Sequence, residues 1–123
     1  MGHNQEITSE AATAVPERTL RIRALNDALR TTFRGGDVVM TAGVDALPEF
    51  IKADIVTAVQ TFTAFTEDND PWGEHDCATL TVDGHDVMFK VDYYDTALER
   101  HSPDESDPSV TRRMLTLLLS HEY

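Results

Sequence analysis

The stretch Cys77-Ala78-Thr79-Leu80-Thr81-Val82-Asp83-Gly84-His85-Asp86-Val87-Met88-Phe89-Lys90-Val91-Asp92-Tyr93 decides the fold class. In its first part Ala78, Leu80 and Val82 alternate with Thr79 and Thr81; in its second Val87, Phe89, Val91 and Tyr93 alternate with Met88, Lys90 and Asp92. A period of two sends alternate side chains to opposite faces of an extended strand, so each half reads as a strand with one apolar face. Asp83-Gly84 sits between them. A two-residue primed turn needs positive φ, which glycine adopts freely, so the stretch predicts an antiparallel hairpin. Leu80, Val82, Phe89 and Val91 are expected on its covered face.

Upstream, Ile22, Leu25, Leu29 and Phe33 fall at helical spacing between Glu17 and Phe33, and Gly35-Gly36 follows; this is a helix with its stop signal. Asp37 to Thr41 is short, β-branched and bounded by glycines, as a strand should be. Pro48 opens a second long helix, read through Phe65, carrying Phe50 or Ile51, then Ile55, Val59, Phe62 and Phe65 at helical spacing. Thr66 to Asp76 has a turn residue at nearly every step and reads as a loop. Downstream of the hairpin, Pro108 and Ser109 open a segment whose Val110, Met114, Leu117 and Leu118 fit a third helical face. The predicted order is α-β-α-β-β-α, an α+β protein whose small antiparallel sheet is packed on one face by helices. Residues 1–16 are polar and aperiodic and read as a disordered arm, which leaves 17–123 as a single α+β domain.

Charge narrows the function. The 123 residues carry 22 acidic and 10 basic side chains, a formal net charge of -12, which opposes docking onto a phosphate backbone or an anionic membrane. The excess is internal: residues 37–111 hold seventeen acids against Lys52, Lys90 and Arg100. One cysteine forms no internal disulfide, and no apolar run approaches the roughly 20 residues of a membrane span or resembles a secretion signal. A cytoplasmic protein is expected, with a basic protein surface as the partner that such an acidic middle would attract.

The densest polar feature is the run from Glu67 to Asp76, with Glu67, Asp68, Asp70, Glu74 and Asp76 and no cation among them. Asp68, Asp70 and Gly73 match positions one, three and six of an EF-hand loop, but Trp72 and Thr79 occupy positions five and twelve, where calcium needs ligands. No metal and no cofactor is assigned. The loop is instead expected to be held by Arg23, Arg30 and Arg34 of the first helix through bidentate Arg–carboxylate pairs, with Trp72 packed on the edge of the core. His75 and Cys77, two apart on a strand, would stand roughly 7 Å from one another, too far for an activated thiol. His3, His85, His101 and His121 are scattered, and no P-loop, G-x-S-x-G or H-E-x-x-H string occurs, so no catalytic residue is assigned. Asp92 and Tyr94 point outward at the end of the second strand, beside Asp95. The partner-binding set is therefore Glu67, Asp68, Asp70, Glu74, Asp76, Asp92, Tyr94 and Asp95.

Val39-Met40-Thr41-Ala42-Gly43-Val44, Phe65-Thr66-Glu67-Asp68-Asn69-Asp70-Pro71-Trp72-Gly73-Glu74-His75-Asp76 and Lys90-Val91-Asp92-Tyr93-Tyr94-Asp95 together resemble a bacterial family, domain of unknown function 3768. The likeness runs roughly from Arg23 to Tyr123. It implies an alphaproteobacterial source, frequent carriage on plasmids and other mobile elements, and no established activity. Cys77 departs from a usually aromatic position in that family, which favours a small packed residue there over a catalytic one. Two classes of function stay open. The first is a small acidic protein-interaction module, in its sharper form a nucleic-acid mimic that inhibits restriction or CRISPR machinery by presenting carboxylates where arrays of Lys and Arg expect phosphates. The second is a metal-dependent enzyme or metal-binding protein using the acidic loop 67–76, which would require those carboxylates to converge.

Overall fold

The computed structural model describes residues 14–123, so most of the expected N-terminal arm lies outside the described residues. Helix α1 spans Glu17–Thr32 and stops where Phe33 turns left-handed (φ 59°), its N–H donating to the Leu29 carbonyl. Strand β1 is Asp37–Met40 and is followed by a one-turn helix, α2, at Ala42–Asp45, capped by the Thr41 hydroxyl. Helix α3 is Glu49–Thr61, strands β2, β3 and β4 are Cys77–Val82, His85–Tyr94 and Arg112–Leu119, and a 3-10 turn at Ser120–Glu122 closes the chain.

The protein has an α+β fold with helices packed on a four-stranded sheet of order β1-β4-β3-β2. The hairpin forms in the expected register, with Leu80 opposite Val87 and Ala78 opposite Phe89. Asp83 (φ 50°) and Gly84 (φ 81°) supply the positive angles of its turn.

Two expectations are corrected. The segment opened by Pro108 and Ser109 is strand β4, not a helix, and it lies in the middle of the sheet between β1 and β3. Apolar Met114 and Leu118 stand with Thr116 on the face away from the helices, so Met114 to Leu119 reads almost continuously apolar and blurs the alternation that marks a strand, although burial alternates from Arg112 to Leu117. Leu115 and Leu117 point to the helices and Leu118 to the other face, yet all three are buried. The sheet is also mixed rather than antiparallel: β1 pairs in parallel with β4, with Asp37 opposite Met114 and Met40 opposite Leu117.

The second long helix ends at Thr61 rather than Phe65. Phe62 turns extended (ψ 131°), and the guanidinium of Arg30 caps the helix end by donating to the carbonyls of Val59 (3.0 Å) and Phe62 (2.9 Å). The two phenylalanines then fold edge-on against Phe89, with ring centroids 5.6 and 6.2 Å away.

One face of the sheet carries the core. Val82, Val87, Phe89, Val91, Leu115 and Leu117 meet Leu29 of α1, Val44 of α2, and Ile55 and Val59 of α3. By register the opposite face presents Thr79, Met88, Asp92, Tyr94, Met114 and Thr116.

Candidate functional site

The Thr66–Asp76 loop is built first from its own polar side chains. The Thr66 N–H donates to the Asn69 side chain (2.7 Å) while the Asn69 N–H donates to the Thr66 hydroxyl (3.2 Å), a reciprocal pair that closes the first turn. The Asp70 N–H donates to the Thr66 carbonyl, and the Gly73 N–H to that of Asp70. Asp70 then turns its carboxylate inward, where Oδ1 accepts the His75 N–H (3.1 Å). Carboxylates that accept backbone N–H groups are well placed at turns of this kind.

Helix α1 fixes the second half of the loop. Arg23 donates from Nε to the Gly73 carbonyl (2.7 Å), and Asn26 donates from Nδ2 to the Glu74 carbonyl (3.0 Å). The same amide reaches the Tyr93 hydroxyl (2.7 Å), which donates onward to Glu74 Oε1 (2.9 Å). The Asn26 carbonyl oxygen accepts from Arg113 Nε (2.9 Å), so a fully buried asparagine ties together α1, the loop, β3 and β4. Burial of polar groups is sustained here because each finds a partner.

His75 anchors the last turn. Its Nδ1 lies 2.9 Å from Asp27 Oδ1, its Nε2 lies 3.7 Å from Asp70 Oδ2, and its ring stacks flat on Phe65 at 3.8 Å. Asp27 is shared with Arg30, whose NH2 donates to Oδ1 at 3.0 Å. The loop is therefore held by α1, but not through the expected Arg–carboxylate clamps. Arg23 binds a backbone carbonyl, Arg30 binds the end of α3 and Asp27, and Arg34 is exposed. The reason lies in the backbone: the loop's carbonyls point at the helix, and its carboxylates do not.

Trp72 is corrected as well. It is 77% exposed and packs on no core residue. It lines, with Val15, Arg23, Phe65, Glu67, Asp70 and His75, an open cavity of about 610 Å³.

The eight expected contact residues do not form one surface. Glu67 and Asp68 are exposed, Glu74 and Asp76 are half-buried, and Asp70 is buried. Burial raises the pKa of both Glu74 and Asp76, with the Tyr93 hydroxyl partly offsetting it at Glu74. Burial likewise pushes the Tyr93 phenol far up, so it stays a hydrogen-bond donor. Asp92 pairs with Lys90 and, like Tyr94, stands on the sheet face opposite the helices, away from the side where the loop meets α1. Asp95 is spent on a turn, accepting the Glu99 N–H (2.9 Å), which lowers its pKa. Cys77 is half-buried, and burial raises its thiol pKa, the opposite of an activated nucleophile. Among the described residues no group of three or more His, Cys, Asp or Glu is placed to hold a metal ion. No helix there is long and apolar enough to cross a membrane.

Asn26, Asp27 and Tyr93 organise the site; of the three, the sequence marks only Tyr93, and that only as a strand residue on the apolar face. Asn26 follows Ile22 by four residues and precedes Leu29 by three, which puts a polar side chain on the buried stripe of α1. That misfit was the available signal.

The fold and loop thus define a small α+β protein whose sheet bears helices on one side and whose acidic loop is locked to the first of them. Residues 40–122 match the family described as Protein of unknown function (DUF3768), and the chain belongs to that family. No curated protein and no solved structure matches it.

Proposed function

We propose that the protein is an interaction module that docks onto a basic protein surface through the Thr66–Asp76 loop, with Trp72 as the central contact and Glu67 and Asp68 as its charged rim. The observation that carries this reading is a tryptophan 77% exposed on a loop fixed from several directions. A large aromatic left in water costs solvation, and a loop already ordered loses little further entropy when a partner arrives. Tryptophan is among the residues that dominate binding energy at interfaces, while rim carboxylates set the on-rate and select a positive partner. Asp70 engages His75, Glu74 the Tyr93 hydroxyl, and Glu67 and Asp68 stand exposed, so among the described residues the loop's carboxylates do not gather round one centre, which weighs for a contact surface over a metal-dependent reaction.

The test is capture from host extract on immobilised protein, comparing the native chain with Trp72→Ala and with Glu67→Gln/Asp68→Asn. A set of basic proteins held by the native chain and lost with both variants is expected. Unchanged capture by Trp72→Ala would reject the docking point. Mimicry of a nucleic acid is the narrower form of this reading; it is supported where a DNA or RNA duplex displaces the captured proteins and the carboxylate variant loses more than Trp72→Ala does.

A further inference from the structure

We infer that the cavity beside Trp72 is a receptor for one arginine side chain of the partner, its guanidinium lying on the indole ring and pairing with Asp70 and Glu67. The inference rests on the docking reading above and names what enters the loop. The cavity, about 610 Å³, is of the size that takes a single side chain with its flanking backbone. Its chemistry is specific. Asp70, whose side chain is 4% exposed, uses Oδ1 on the His75 N–H, but its Oδ2 stands 3.7 Å from His75 Nε2, beyond hydrogen-bond distance, and keeps its acceptor capacity. Glu67, exposed on the rim, makes no hydrogen bond or ion pair among the described residues. Among the described residues Arg23 is the one arginine or lysine of the lining, its Nε engaged by the Gly73 carbonyl, so two carboxylates face one guanidinium and an anionic ligand is disfavoured.

A planar cation fits this lining better than a compact one. Guanidinium stacks on an aromatic face while its edge forks to a carboxylate, whereas an ammonium group offers neither flat surface nor fork. The chain places guanidinium groups near aromatic rings inside itself too: Arg30 lies 5.2 Å from the Phe65 ring centroid and donates once to Asp27, and Arg113 lies 5.3 Å from that of Tyr93 and donates to the Asn26 amide oxygen.

The test is a titration of the full chain with a blocked Gly-Arg-Gly peptide and its lysine and citrulline counterparts, reading the fluorescence of the sole tryptophan and the amide resonances of residues 66–76. Saturable shifts with the arginine peptide are expected, with lysine weaker by about fivefold or more and citrulline without effect. Asp70→Asn should weaken arginine binding about tenfold; because Asp70 also supports the loop, the exposed Glu67→Gln and Trp72→Leu serve as folded controls and should each weaken it severalfold. Equal binding of all three peptides, or arginine binding untouched by both exposed variants, overturns the receptor. If the arginine peptide fails to bind while Trp72→Ala still abolishes capture from extract, the receptor falls and the docking surface stands. If capture survives Trp72→Ala, it is the docking surface that falls.

Discussion

His75 Nδ1 stands 2.9 Å from Asp27 Oδ1, a contact that joins the acidic loop to the middle of α1 across 48 positions of sequence. The same Asp27 oxygen accepts from Arg30, which caps the end of α3. Two helices and the loop thus meet at one carboxylate. His75 itself is in the left-handed region (φ 55°), a conformation that costs a non-glycine residue about 1–2 kcal/mol. The stacking on Phe65 and the bond to Asp27 hold it there.

Asp27→Ala should therefore destabilise the fold well beyond an ordinary surface change. It leaves a buried guanidinium with one fewer acceptor, and the Nε of Arg30 already has none. A loss of about 1–3 kcal/mol is expected, the range for stranding a buried polar partner. Urea unfolding measures it, and an unfolding midpoint equal to that of the native chain would remove Asp27 from its organising place.

Trp72→Ala should behave in the opposite way. A side chain 77% exposed contributes little to the fold, so stability should stay within about 0.5 kcal/mol. Thermal melting checks this. A large drop would mean that the indole anchors the loop, and the capture experiment could no longer be read as loss of contact alone.

The hairpin and the loop were legible because each obeys a local rule. Strands β2 and β3 keep one covered face and alternate, and Asp83-Gly84 marks their turn. Strand β4 was not legible, because apolar Met114 and Leu118 stand on its uncovered face beside the buried Leu115 and Leu117 of the other, which hides in the sequence the period that its burial keeps from Arg112 to Leu117. Its parallel pairing with β1 depends on contacts some 77 positions apart, Asp37 with Met114, which no local window holds. The loop's composition announced a special segment, but its anchoring depends on where its carbonyls point. Composition does not encode that, and the arginines were accordingly matched to the wrong acceptors.

Acid stability separates two groups of carboxyls. Hydrogen bonding from His101, with Arg18 adding, holds Glu105 at about 2 against an ordinary 4.5. A carboxyl with a lower pKa in the folded state stabilises the fold above its unfolded value, and that contribution is lost as pH falls from 4.5 through about 2. Glu74 and Asp76 have raised values, so their contribution is complete below the unfolded pKa and is lost as pH rises through the folded one. Glu105→Gln should flatten the acid limb of a stability–pH curve, and Glu74→Gln should flatten the part just above it. Urea midpoints at a series of pH values give the curve. An acid limb that falls just as steeply in Glu105→Gln contradicts the assignment.

Gly36 tests the pairing that the sequence concealed. A methyl group built there would lie 2.5 Å from the Arg113 carbonyl oxygen and 3.0 Å from Leu29 Cδ2. The first obstacle is backbone of β4, which Arg113 fastens in turn to Asn26, so the clash is relieved only by moving β1 away from its partner. Gly35 differs: nothing lies within 4 Å of its Cβ position, and only its φ of +96° resists a side chain. Gly35→Ala should cost about 1 kcal/mol through backbone strain alone, whereas Gly36→Ala should cost roughly 1–3 kcal/mol through overpacking and loosen the strand as well. Hydrogen exchange at Thr41, whose N–H donates to the Leu117 carbonyl at 3.0 Å, distinguishes the two. Its protection should drop in Gly36→Ala and persist in Gly35→Ala; equal protection in both would mean that β1 does not depend on close approach to β4 at Arg113.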